Sequence, residues 1–265
     1  MFTKRPSKML FWFFLCALLT NISMATDRAI TSSERRSPGW AEKMFLTKLG
    51  LEEDVNDSKI IQLLDVPNKR ISATGLIRYR RISSAIPKLL QIVDSNEMTI
   101  PTRIVAAEAL CDFGNKEWMP TIKALSTDPN GFISRTPHKF DVAGLLARGG
   151  DYSQFEIVAS GISSNKQHIR GTAIQALGNF GHKTDTVTDS AAELLKSAAT
   201  SDAVPWLRER AIESLEKIAK IKPEVESKVI AALEANKDST DKDLRIMCNA
   251  KLNSYSKKLK KEKAK

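Results

Sequence analysis

The sequence predicts an all-α chain, an α-α superhelix of about six helix pairs behind an N-terminal helical cap. Three observations carry that prediction. The first is a recurring block: a basic residue, a small or apolar residue at +3 or +4, a mostly small one at +6 and Leu at +7. Clear copies are Arg103/Ala106/Ala109/Leu110 and Arg170/Ala173/Ala176/Leu177. Weaker ones are Lys69/Ala73/Gly75/Leu76, Lys139/Ala143/Leu145/Leu146, Arg208/Ala211/Ser214/Leu215 and Arg245/Cys248/Lys251/Leu252. The starts lie 34, 36, 31, 38 and 37 residues apart, the spacing of a solenoid whose units bury their apolar faces only against neighbours. The second is punctuation. Pro67, Pro101, Pro137 and Pro205 stand two or three residues before the marker cation, where a missing N–H costs no helical bond. The clear copies end in Phe113-Gly114 and Phe180-Gly181. The third is the near absence of strand-like alternation.

The elements follow in order. Residues 1–25 read as a secretory signal peptide: Lys4, Arg5 and Lys8, an apolar run from Met9 to Leu19, and Ser23-Met24-Ala25, with cleavage after Ala25. That run falls short of the ~20 residues needed to cross a bilayer, so no membrane span is expected after cleavage. Cys16 lacks the small residues that precede a lipidation site. Residues 26–39, polar and charged, form a flexible lead. Residues 40–66 form the cap, with helices at Ala41 to Leu49 and Asn56 to Leu64; the first repeat needs one face covered.

Residues 67–256 are the repeats. In the first helices, offsets +3/+4, +7 and +10/+11 share a face, and Gly114 and Gly181 fall where a helix ends in a left-handed residue. In the second helices, Ile86/Leu89/Leu90/Val93, Trp118/Ile122/Leu125, Ala191/Leu194/Leu195/Ala198 and Val225/Val229/Leu233 form apolar stripes. Residues 257–265 are a basic tail holding six Lys and one Glu.

The formal charge of +10 is concentrated at the ends. The signal peptide carries three positive charges and the tail a net five, leaving about +2 on the body. A near-neutral body with a basic tail argues against nucleic acid as the partner. The tail is a solvated end with scope for weak contact to an anionic surface. Only Cys111 and Cys248 remain after cleavage. They lie four repeats apart, tens of ångströms at ~8–10 Å per stacked helix, too far for an intrachain disulfide.

The block R-x-x-A-x-x-A-L-x-x-F-G, followed by a second helix beginning I-P-x-L-L or W-M-P-x-I, resembles a HEAT repeat. The resemblance is to the short bacterial HEAT-like type also found in phycobilisome lyases, and it runs from about Lys69 to Tyr255. The tetratricopeptide repeat has a similar period, but its W-x-x-L-G-x-x-Y pattern is missing. The resemblance implies a surface for partners, with the concave face lined by second helices. It also implies that each marker cation pairs with a neighbouring acid or carbonyl; Asp65 and Asp241, four residues before their markers, fit that role.

Catalytic chemistry finds little support. His138, His168 and His182 have no partner at metal-ligand spacing. Gly149-Gly150 falls at the helix-end position, so it is no phosphate cradle. Asp128 to Phe140 is the most irregular stretch, a candidate binding loop unless Phe132 or Ile133 packs down. No catalytic, cofactor or metal residue is assigned. The expected function is non-enzymatic: an exported, periplasmic or secreted module that binds or scaffolds another protein. Second-helix candidates for that contact are Lys88, Gln91, Lys123, Glu193, Lys196 and Lys228. The alternatives are a nucleic-acid binder like the HEAT-like DNA glycosylases, which needs a basic concave face with aromatics, and a lyase of the phycobilin type, which needs a polar pocket and a reactive Cys.

Overall fold

The computed structural model of the chain describes residues 40–127, 131, 133, 136, 138–181 and 186–263. The expected signal peptide and lead, Pro137, His182 and the tail side chains beyond Lys257 lie outside the described residues. Among the described residues there are thirteen α-helices, three short 3-10 turns and no strand. The chain divides into two compact units, with the boundary between Ile122 and Lys123.

The first unit holds α1 (Trp40–Leu49), α2 (Asp57–Gln62), α3 (Arg70–Arg80), α4 (Ile86–Asp94), α5 (Ile100–Asp112) and the start of α6 (Met119–Thr127). Asn56 caps α2, its Oδ1 accepting the Lys59 N–H at 2.9 Å. α1 lies against α3 with Phe45, Leu46 and Leu49 buried. Gly75 makes that approach possible: a Cβ there would stand 2.4 Å from the Phe45 ring. α3 and α5 share an ion-paired contact. Arg78 donates to Asp112 at 2.7 Å and Glu108 at 3.1 Å. All three side chains are largely buried, so removing one partner strands a charge.

The second unit is two helical layers. First helices α7 (His138–Gly149), α9 (Gln167–Leu177), α11 (Pro205–Ile221) and α13 (Lys242–Lys263) pack in succession. So do second helices α8 (Phe155–Gly161), α10 (Thr186–Ser201) and α12 (Glu226–Asn236). The apolar stripes meet between the layers in one core that includes Leu177, Phe180, Leu195, Leu215, Val229 and Leu233. Ile133 and Phe140 are buried too, so the described part of the irregular stretch packs inward. α13 has no second helix among the described residues. It stays helical through Lys263, so the first seven tail residues continue the helix.

The structure corrects the register of the first repeat by one residue. Arg70, not Lys69, is its marker. Arg70 donates to the carbonyl six residues back, Leu64, at 2.6 Å. Arg170 does the same to Ser164 at 2.9 Å and Arg245 to Ser239 at 2.7 Å. Counting from Arg70, position +11 is Arg81, left-handed at φ 58 like Gly114 (φ 76) and Gly150 (φ 101) at +11 of their repeats. Lys69 instead donates to the Leu49 carbonyl at the end of α1.

Four markers, Arg70, Arg103, Arg170 and Arg245, tie their first helix to the end of what precedes it. Arg103 donates to Val93, the penultimate residue of α4, at 2.6 Å. Arg170 also grips Asp202 and Arg208 reaches Asn236, each at the end of the second helix of the marker's own repeat. Asp65 and Asp241 do other work. Asp65 pairs with Lys88, and Asp241 accepts the Leu244 N–H at 2.9 Å as a helix cap. Gly181 is also reassigned. Its backbone is not left-handed; it lies close to α11, where a Cβ would come 2.9 Å from the Ile221 Cδ1.

Position +4 records where the stack stops being covered. Thr74, Ala107, Ala143, Ile174 and Ile212 are buried there. In α13 the same position is exposed Asn249, whose amide donates to Lys237 and Arg245 carbonyls.

Candidate functional site

The candidate surface is the outer side of the second helices. In the second unit an open groove of ≈ 580 Å³ runs over α8, α10 and α12. Phe155, Ala159 and Leu194 make its floor; Glu156, Asp189, Glu193 and Lys228 stand at its rim. The floor is fixed from below. Phe180, at +10 from the Arg170 marker, meets the Phe155 ring edge-on at 5.6 Å and Tyr152 at 6.0 Å.

Successive second helices are laced by exposed ion pairs across the rim. Lys228 of α12 donates to Glu193 of α10 at 2.5 Å, and Lys222 donates to Asp189 at 2.5 Å. The Lys228 hydrogen bond is the main influence holding the Glu193 carboxyl below the usual carboxylate range. Further along, Lys123 of α6 pairs with Asp151 at 2.7 Å. Burial there opposes ionisation of Asp151, but bonds from Lys123 and Ser153 outweigh it and lower its pKa. Such surface pairs contribute about 0–1 kcal/mol each, so a ligand bearing either charge can displace one partner at little cost.

Of the six sequence candidates, the structure brings Glu193 and Lys228 together in the groove. Lys196 is half-buried on the same helix and acts on Glu193 electrostatically. Lys123 is exposed and engaged with Asp151. In the first unit, Lys88 is paired with Asp65 at 2.6 Å, and Gln91 is exposed on α4. Phe155, Glu156 and Asp189 were not foreseen. For Phe155 and Glu156 the signal was weak because α8 is seven residues long and offers only Phe155, Val158 and Ile162 as a stripe; Asp189, in the first turn of α10, lies off that helix's apolar stripe.

Other chemistry is sparse. His138 lies 3.4 Å from Asp141, and His168 is exposed. Among the described residues no group of three His, Cys, Asp or Glu side chains could hold a metal ion. No described helix is long and apolar enough to cross a membrane. Neither Cys111 nor Cys248 is in a disulfide. Burial pushes the Cys248 thiol up to about 11, which suppresses the reactive thiolate.

Comparison with known proteins places the repeats. The HEAT repeats family matches residues 139–216 and 155–250. The solved structure of human deoxyhypusine hydroxylase in complex with glycerol is similar at 18% identity, over 94% of this chain and 99% of that chain, with a TM-score of 0.36. No curated protein matches.

Proposed function

We propose that this HEAT-like repeat protein binds or scaffolds another protein through its second-helix face. The observation that carries the reading is the groove over α8, α10 and α12. It combines a rigid apolar floor with exposed charges that are already positioned but cheaply released. Apolar contact supplies affinity and the charged rim supplies specificity. Under this proposal the protein is not an enzyme. It acts after export, in a periplasmic or extracellular compartment, because the first 25 residues have the order of a signal peptide. The Lys-rich tail adds at most a weak, screened contact to an anionic surface.

The test is a pull-down with mature protein followed by mass spectrometry, repeated with Lys123→Glu/Lys196→Glu and with Glu193→Lys. Loss of the captured partner in the variants at physiological salt supports the second-helix face. Capture that survives both variants but fails on tail deletion assigns binding to the tail instead. Export is tested separately: the mature protein should begin at Thr26, and a full-length membrane-bound form would refute it.

A further inference from the structure

The opposite side of the second unit carries a different surface. Trp206 is 41% exposed at the start of α11. Its ring lies on α9 at Gly171, where a Cβ would come 2.8 Å from the ring. The other first helices have Ile71, Ile104, Phe140, Glu209 and Ile246 at this position; only α9 has a glycine. Arg210 stands 5.4 Å over the ring, and its guanidinium donates to Gln175 of α9 at 3.0 Å. Indole and guanidinium are thus held in place before any partner arrives. Trp and Arg are the residues most enriched among energetically dominant interface contacts, and preorganisation cuts the cost of ordering them.

Farther along the same helix cations outnumber acids around Lys217. Lys217 is half-buried and makes no hydrogen bond or ion pair among the described residues. Its pKa is lowered, first by burial, then by Arg148 of α7, with Arg210 and Lys220 adding to the effect. Glu213 is the acid that opposes them. Three cations around a fourth, on a body of near-neutral charge, form a local positive field. Lys217 lies 11 residues beyond Trp206, about 16 Å along the helix axis at ~1.5 Å per residue. An extended segment spans that distance in about five residues.

We propose that this first-helix face is a docking surface for an acidic segment of a partner protein: an apolar side chain lies on Trp206, and carboxylates about five residues away meet Arg148, Lys217 and Lys220. Charge complementarity selects the occupant, because the surplus cations repel a basic segment. The site is separate from the second-helix groove, so either surface can fail without the other.

The experiment uses full mature chain and a fluorescein-labelled synthetic peptide with one Phe followed, about five residues later, by a run of four Glu. Binding is read by anisotropy at low and physiological salt. The unmodified protein binds, more tightly at low salt. Arg148→Glu/Lys220→Glu weakens binding at least about tenfold, and Trp206→Ala at least about fivefold. Arg148 and Lys220 are exposed, so that pair retains the fold; Lys217→Gln serves where Lys217→Glu melts early. Lys260→Glu/Lys261→Glu in the tail and Lys123→Glu/Lys196→Glu on the other face change it less than about twofold. The proposal is overturned if the acidic peptide does not bind, if a Lys-substituted peptide binds better, or if the tail variant removes binding while the α7 and α11 variants leave it intact.

Discussion

Replacing Gly75 with Ala should destabilise the protein, although the usual expectation is the reverse. In an unobstructed helix interior the change favours folding by about 1 kcal/mol, because Gly loses more backbone entropy. Here the new methyl would stand 2.4 Å from two atoms of the Phe45 ring and 3.1 Å from a third. Ordinary carbon contacts lie at about 3.5–4.0 Å, so the overlap exceeds about 1 Å. Phe45 is 2% exposed and cannot turn to solvent without losing roughly 1.5–3 kcal/mol of burial. Overpacking of this kind costs about 1–3 kcal/mol, so against the gain of about 1 the net loss reaches about 2 kcal/mol. Urea unfolding followed by circular dichroism measures it. The double variant Phe45→Leu/Gly75→Ala supplies the cycle: the smaller side chain makes room for the methyl, so the two losses sum to more than the double variant loses. If Gly75→Ala alone raises the midpoint, α1 does not pack on α3 as described.

Three further outcomes are expected. Leu177→Ala, at a fully buried position, should cost about 2–5 kcal/mol, while Gln91→Ala should cost about 0.5 or less; equal losses in thermal melts would contradict the repeat register. Burial opposes ionisation of Asp202, but Arg170 and the Val204 N–H outweigh it and lower its pKa. Its stabilisation is therefore complete above an unfolded value of about 3.9 and is lost as pH falls through the folded one. The stability gap between native protein and Asp202→Asn should hold from neutral pH to about 5 and close below about 4; a gap that widens in acid reverses the sign. Finally, Cys248, with its thiol at about 11, should resist iodoacetamide at pH 8 until the protein is unfolded, as read by intact mass; rapid labelling of the native protein would contradict its burial.

The helical period was legible because four of the first helices repeat one demand: a small residue where helices touch and Leu at +7 in the core. Leu110, Leu146, Leu177 and Leu215 are all buried there. The first repeat was misread by one position because two cations, Lys69 and Arg70, adjoin. Only the carbonyl each one reaches tells them apart. Gly181 looked like Gly114, since the same residue serves either a left-handed backbone or a close approach. The groove was legible only in part: Glu193 and Lys228 were marked as contact residues, but not as neighbours. Its rim pairs Lys228 with Glu193, 35 residues away, and its floor depends on Phe155 resting on Phe180. Likewise Trp206 and Gly171 are 35 positions apart, and neither alone signals a held ring.

The bond from four marker arginines, Arg70, Arg103, Arg170 and Arg245, back to a preceding carbonyl gives the stack a direction. Val93, Ser164 and Ser239 are each fastened by an arginine that arrives later in the chain. A helix pair is therefore closed by its successor, and α12 by α13 through Arg245 and Asn249. Release of α13 frees the carbonyls of Lys237 and Ser239 before anything in α12 has moved. Fraying then travels backwards, one latch at a time, and amide exchange in α12 should be slaved to the detachment of α13. During synthesis the order is opposite: each pair leaves the ribosome unlatched until the next arginine appears. The natural module boundary thus lies just after a marker, not in the loop before it, and a shortened protein cut there keeps its last pair fastened.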